Sequence, residues 1–522
     1  MDQDRPRPSL GRPQGWDPVW ERPVPPSLGE RLAPVLVFAV ALVAYLRTLL
    51  PGLAFDTWGE MQTVPHVLGI ARPTGYPTYV LAARLFELLP LGSVAYRSNL
   101  LSGVLVALAL ATVTWTATRL GVRPAIAAGA ALATGAVGTL WATATVAGVD
   151  PLHLLLMALL LDRSLAWADH GRSVDLALCG LLTGLALGND LLAITVAPVL
   201  ALFALWSGRQ SFVEQPVLLF LPILTLLLGL SVYLYLPAAS RLGAPAPYTL
   251  DEFLRLAQAG PLQPAIARLL EPGGLGTTAD SLPALGRLLI DRGALLLPVA
   301  GLAGVLVLVL RRPALGLALA AVLLLGAAAW AGGGQREADL LVPLAALGLG
   351  TAVVLEALAR GGADRLPSVA ARAAGPAAVA AGIALAVVLT SFNLTAADRS
   401  ADHAGDDYVA AMTAKLPQGA ALVTSWGTAT PLWHAQLVLA ERPDLLIVDA
   451  AALAAGADDP GAQMARMSCQ RPVFVLSTPG PAPTGPTFTL QPAFGVQAGV
   501  GSPTGTTAVT VYRLVAAADT CQ

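Results

Sequence analysis

The stretch Phe55-Asp56-Thr57-Trp58-Gly59-Glu60, followed by Gly69-Ile70-Ala71-Arg72-Pro73-Thr74-Gly75-Tyr76-Pro77, comes directly after the first long apolar run of the chain. Two carboxylates four residues apart, an arginine and a cluster of turn residues thus stand where a membrane segment emerges into water. Polar side chains at a bilayer boundary are expensive and mark a site where they persist. Pro73, Gly75 and Pro77 shape the turn rather than touch a ligand, since proline and glycine fix turn geometry.

Composition agrees with that placement. Of 522 residues, 55% are hydrophobic and 12% are charged, against about 25% charged in soluble domains. The class is an α-helical polytopic membrane protein, with the lipid bilayer as a partner. The net charge of −2 comes with no basic cluster, so nucleic acid is not a partner. Residues 1–31 are polar and rich in proline and read as a disordered cytoplasmic tail. No cleavable signal pattern precedes the first span.

Hydrophobicity and turn signals predict about eleven transmembrane helices, near 32–50, 96–118, 125–147, 151–167, 174–188, 191–206, 216–236, 293–310, 313–330, 340–358 and 369–390. Arg119 and Arg123, Arg172, Arg209, Arg311 with Arg312, and Arg360 with Arg365 fall in alternate short loops. The positive-inside rule makes that side, and the N-terminus, cytoplasmic, in a plasma (inner) membrane. An odd number of spans then leaves the segment from 391 onward extracytoplasmic. Outer loops follow at 51–95, 237–290 and around Arg336. Within the first of them, Tyr79 to Leu89 repeats apolar residues with helical period and is expected to lie in the interface plane.

Residues 391–522 change composition and read as a soluble α/β domain. Helices are expected at 404–415 and 431–440, and strands at 420–424, 445–449, 473–477 and 507–514. Cys179 reads as a packing residue inside a span. Cys469 and Cys521 share the outer domain, where a bridge is permitted but not decided by sequence. The five histidines lack zinc-ligand spacing. Asp402-His403 with Asp406-Asp407 reads as carboxylates favouring a helix N-terminus. No cofactor is implied; a divalent metal stays open, although no Asp-x-Asp motif lies near the first loop.

The run from Phe55 through Gly75-Tyr76-Pro77 to Tyr96-Arg97-Ser98-Asn99-Leu100-Leu101-Ser102 resembles the protein O-mannosyltransferase-like family, also called the transmembrane protein 260 family. The similarity recurs at Tyr233-Leu234-Tyr235-Leu236-Pro237, Asp339-Leu340-Leu341-Val342-Pro343, Leu422-Val423-Thr424-Ser425-Trp426 and Glu441-Arg442-Pro443-Asp444. The resemblance implies a GT-C-like membrane domain over 32–390 that moves a sugar, mannose favoured, from a polyprenyl-phosphate donor to a hydroxyl of a protein or glycan acceptor. Two departures stand out. Arg72 replaces the histidine usual before the Pro-x-Gly-Tyr-Pro turn. Gly148-Val149-Asp150 offers only a displaced carboxylate after the third span.

Such chemistry needs a carboxylate to take the acceptor proton and cations to stabilise the departing phosphate. Asp56 is the expected general base, and Glu60 its positioning partner. The bland alternative is that both simply cap and solvate a short interfacial helix. Arg72, Tyr76, Arg97, Asn99, Asp190 and Arg336 are the expected substrate-binding residues. Asn99 has a helix-linking alternative, and Asp190 a capping one. Arg84 is expected to snorkel to the interface. The rival class is a multi-span transporter or flippase for a lipid-linked or polar solute, which would use Asp162-Arg163 and Asp190.

Overall fold

A computed structural model describes residues 27–241, 282–291, 295–332, 336–365, 367–456, 459–477, 487–499 and 506–517. Most of the expected outer loop at 237–290 therefore lies outside the described residues, as does Cys521. The chain is an integral membrane protein built mostly of helices, with one small sheet.

The first helices are α1 (Leu28–Arg47), α2 (Asp56–Val67), α3 (Pro77–Phe86), α4 (Val94–Arg119), α5 (Pro124–Gly135), α6 (Gly138–Ala144), α7 (Asp150–His170), α8 (Ser173–Asn189) and α9 (Ala193–Ser207). α1 begins inside the stretch expected to be tail. Ser27 and Glu30 form a capping box, satisfying N–H groups that a helix start leaves open. Among the described residues, seven helices are long and apolar enough to cross a bilayer, or eight if α5 and α6 form one bent span. Ser173–Asn189, Ala193–Ser207 and Leu296–Arg311 are apolar but shorter than the roughly 20 residues a perpendicular crossing takes.

α5 and α6 meet at 77°. A broken helix frees carbonyls that lipid cannot satisfy. Here Tyr45 Oη donates to the Gly135 carbonyl at 3.0 Å, and Asn393 Nδ2 donates to that of Ala136 at 3.1 Å. Helix α1 and the Ser368–Ala397 helix thereby hold the bend from two sides.

The first loop is not the water-facing excursion its polarity suggests. Every residue from Gly59 to Pro65 in α2 is buried. α2 lies against the Trp426–Leu437 helix, and Gly59 permits this approach. A Cβ there would meet the Ala54 carbonyl and stand 2.6 Å from Thr430 Oγ1. The stretch expected to lie in the interface plane forms α3, which buries Tyr79, Val80 and Ala83. Thr78 Oγ1 ties its first turn to the Leu185 carbonyl on α8 at 2.8 Å.

The C-terminal segment carries a five-stranded sheet ordered β2-β1-β3-β5-β4. Its strands are β1 (Ala421–Thr424), β2 (Leu446–Asp449), β3 (Val473–Ser477), β4 (Phe488–Gly499) and β5 (Thr506–Ala516). β2, β1 and β3 run parallel, while β5 and β4 are antiparallel. β4 and the helices Ala450–Gly456 and Pro460–Ser468 are elements the sequence pattern does not single out. Cys469 is disulfide-bonded, and Cys179 is free and buried.

No packing boundary coincides with the composition change near residue 391. Phe55, fully buried, belongs to the same apolar cluster as Tyr408, Leu422, Val496 and Val511, and Leu53 and Ala95 join it. The Phe55 and Tyr408 rings are 5.3 Å apart. Leu53 N–H donates to Asp406 Oδ2 at 3.3 Å, so the acidic 402–407 cluster receives the first loop. Replacing Phe55 by alanine should lower stability by about 3–5 kcal/mol, the cost of emptying a buried aromatic site. Thermal unfolding of the full chain in detergent, with proteolysis to follow residues 400–517, measures it. An unchanged midpoint would mean that the C-terminal core closes without Phe55.

Candidate functional site

The Arg72–Tyr76 turn is tight. Gly75 N–H donates to the Ala71 carbonyl at 2.8 Å, and the Arg72-Pro73 bond is cis. Gly75 has φ 81°, a region that glycine enters at no steric cost. Both Arg72 and Tyr76 then face a cavity of about 680 Å³ shared with Trp58, Asp150, Asp190 and Arg336. Thr139 and Thr143 of α6, Arg399 and Trp426 complete its polar and aromatic lining.

Charge in this cavity is organised around Arg336. Its Nη2 pairs with Asp339 Oδ1 at 3.2 Å. Burial opposes its positive charge, but the fields of Asp150, Asp339 and Asp190 outweigh that cost and hold it more firmly protonated than a free arginine. Asp190 accepts the Leu192 N–H at 2.9 Å, and burial pushes its carboxyl above the usual range. Tyr76 is pushed well above the ordinary phenol value by burial and by Asp190. It is therefore a neutral hydrogen-bonding group.

Arg72 lines the same cavity. Its guanidinium carbon lies 3.5 Å from the centroid of the Trp426 ring, and its Nη2 pairs with Asp449 at 3.2 Å. Asp449 ends β2, so the carboxyl end of the parallel strands points at this wall, where open α/β sheets bind ligands. Glu60 holds the turn from behind. Its Oε1 accepts the Arg72 backbone N–H at 2.8 Å. Burial raises its carboxyl to about 8, against the lowering effects of that bond and of the Arg72 charge.

Asp56 stands at the cavity's rim rather than in its lining. It opens α2 with φ 58°, a left-handed conformation uncommon for a side chain other than glycine. Its carboxylate accepts the Thr57 N–H at 2.9 Å and lies beside Gly427. Strained backbone of this kind gathers at functional sites.

Two expected binding residues are elsewhere. Arg97 Nη1 donates to the Leu89 carbonyl at 2.8 Å and closes the end of the α3–α4 connection. Asn99 is fully buried and makes four hydrogen bonds. It donates to the carbonyls of Leu50 and Gly52 and accepts from Gln62 Nε2 and the Ala147 N–H. Its role is to fasten the 50–54 turn to α2 and to the chain entering α7. The helix-linking alternative thus describes it, because an amide with all its capacity used has none for a ligand. The pair a carrier would need is also engaged, since Asp162 meets Arg119 and Arg163, and Arg163 also meets Asp175. Arg84 pairs with Glu87 at 3.8 Å.

Thr139, Thr143, Arg399, Trp426 and Asp449 carry no site signal of their own in the sequence, and Asp150 stands there only as a displaced carboxylate. Asp150 follows Gly148-Val149 at a helix start, a position that also suits an ordinary cap. Trp426 sits in the quoted Leu422–Trp426 run, which is the one local signal that was available.

A family model described as the protein O-mannosyl-transferase TMEM260 N-terminal domain matches residues 57–213. The protein O-mannosyl-transferase TMEM260 of Mus musculus is 34% identical over 220 residues, which are 40% of this chain and 30% of that protein. The alignment therefore spans under a third of the mouse protein's length. In fold, the chain is similar to ArnT from Cupriavidus metallidurans in the apo state, with TM-score 0.52, 15% identity, and 92% of this chain and 97% of that one covered. The same protein bound to undecaprenyl phosphate gives TM-score 0.52 and 14% identity over 93% and 98%. The Archaeoglobus fulgidus oligosaccharyltransferase gives TM-score 0.50 and 12% identity over 85% and 69%. At these identities the likeness carries the fold alone. The chain thus has the fold of the GT-C glycosyltransferases, and its residues 57–213 are similar to the N-terminal domain of the TMEM260 protein O-mannosyl-transferases.

Proposed function

We propose that this protein is a membrane glycosyltransferase that moves a sugar, mannose favoured, from a polyprenyl phosphate to an acceptor hydroxyl on the extracytoplasmic face. The observation that carries this reading is the cavity of about 680 Å³ whose lining brings together Arg336 and Arg72 with Asp150 and Asp190. A lipid-linked anionic donor needs such a place, with cations for its phosphate and carboxylates for sugar hydroxyls.

In this reading Arg336 takes the phosphate, helped by Arg72, and Asp150, Asp190 and Tyr76 hydrogen-bond the sugar. Asp56, at the rim beside Gly427, accepts the proton of the acceptor hydroxyl. The hydroxyl oxygen then forms its bond to the sugar C1 as the bond from C1 to the phosphate oxygen breaks. The electron pair leaves on the phosphate, where arginine charge stabilises the transition state. Glu60 positions Arg72 through its backbone N–H. Charge stabilisation falls to arginines in this scheme and calls on no cofactor or metal ion.

Asp56→Asn should keep polyprenyl-phosphate affinity and lower transfer by about 10²-fold or more, as losing a general base does. Scintillation counting of labelled sugar transferred in membranes reads this out; transfer near the parental rate would remove Asp56 from the role. Arg336→Ala should weaken both phosphate binding and turnover, measurable by titration with undecaprenyl phosphate. Incubation with EDTA should leave transfer unchanged, and a loss restored by Mg²⁺ or Mn²⁺ would overturn the assignment of charge stabilisation to arginine alone.

Glu60 supplies a pH dependence. Between the ordinary glutamate value and about 8, the folded protein holds a proton that the unfolded chain has released. Stability from this group must therefore fall as pH rises through that window. Glu60→Gln should flatten the decline between pH 5 and about 8, as followed by unfolding temperature. A parallel decline in both proteins would assign it to other groups.

A further inference from the structure

A second hollow, of about 350 Å³, adjoins the large cavity at Trp426. It is bounded by α2, the Trp426–Leu437 helix and β2. Trp426 lines both spaces. In the second it forms an edge-to-face pair with Trp433, with ring centroids 4.7 Å apart. Glu60 also lines this hollow. The residue is 2% exposed, and its Oε1 accepts the Arg72 backbone N–H.

The remaining wall is Leu445, Leu446 and Ile447. Among the described strands, β2 stands at the edge of the sheet and pairs only with β1. Leu446 N–H donates to the Ala420 carbonyl at 2.9 Å, towards the sheet. Successive residues of a strand direct their backbone groups to opposite sides, so the N–H and C=O of Ile447 face the open edge. An unpaired edge is a template for another extended chain.

Resting on the transferase reading above, with a polypeptide as its acceptor, we infer that this groove holds the acceptor in extended form, adding to the open edge of β2 beside Ile447. The chemistry of the groove separates a polypeptide from a glycan. Its apolar and aromatic walls are interrupted by Glu60, Thr63, Thr430 and Gln436, and the outward backbone groups of Ile447 match the backbone of an extended peptide. Trp426 and Trp433 offer flat apolar surface for a side chain. A chain lying along β2 runs towards Asp449, Arg72 and the Asp56 rim. A serine or threonine hydroxyl on it would reach the large cavity from the side opposite the phosphate.

The test uses the full chain expressed in cells. Hydroxyl-linked sugar on polypeptides is counted by mass spectrometry, and undecaprenyl phosphate binding is measured on the same purified proteins. Ile447→Pro removes the outward N–H, while Ile447→Ala keeps it and loses only side-chain packing. The proline variant should label peptides about tenfold less than the parent, the equivalent of one backbone hydrogen bond. The alanine variant should lose less, and both should bind undecaprenyl phosphate as the parent does. Equal labelling by parent and Ile447→Pro, or equal losses in both variants, would overturn strand pairing. A parent that labels only lipids or glycans would overturn the polypeptide acceptor and leave the donor reading standing. A parent that transfers no sugar to anything would overturn the transferase reading and this inference with it.

Discussion

Phe55 decides how the two ends of this chain meet. A residue directly after the first helix is completely buried among side chains more than 350 positions later, against Tyr408, Leu422 and Val511. Such a contact closes a very long loop, and the loop-closure cost grows only slowly with length, whereas burying a phenyl ring contributes about 1.5–3 kcal/mol. Once that plug is seated, Leu53 reaches Asp406, α2 lies along the Trp426–Leu437 helix, and Arg72 meets Asp449. The cavity wall is therefore assembled from both termini of the fold.

The electrostatics of that wall differ from those facing it. Arg72 is engaged by an aromatic face and one carboxylate, so its charge is partly offset and its position is set. Arg336 sits among three aspartates that favour its charge. An anion placed beside Arg336 meets the repulsion of those carboxylates, which the guanidinium must offset while it stays paired with Asp339. The guanidinium is wide enough to keep both partners, because its donors form a fork.

Much of the membrane region could be read from sequence because lipid imposes a strong rule: long apolar runs and alternating arginine are visible without tertiary information. Each expected span overlaps helix among the described residues, though length alone separates seven or eight clear crossings from three short helices. Arg72, Tyr76, Asp190 and Arg336 could be named because polar groups near apolar runs are conspicuous, and all four line the cavity. Arg97 and Asn99 are equally conspicuous, yet their partners are mostly backbone groups, which no sequence pattern displays. Trp426 and Asp449 escaped notice for the opposite reason. In a segment of ordinary composition, a tryptophan and a strand-end aspartate look like core and cap until folding carries them to the first loop. β4 was hidden by Pro492 and Gly495, which interrupt its alternation; the register shifts between Pro492 and Phe494.

The bend between α5 and α6 has a mechanical meaning for the cavity it floors. Its loose carbonyls are tied by Tyr45 and Asn393 from separate helices, and straightening it would strand both side chains' partners in a water-poor region. It is accordingly a bracket, with Thr139 and Thr143 fixed at one depth. Any breathing of the cavity falls instead to the wall where the Arg72 turn is held by Glu60, Asp449 and the Trp426 ring.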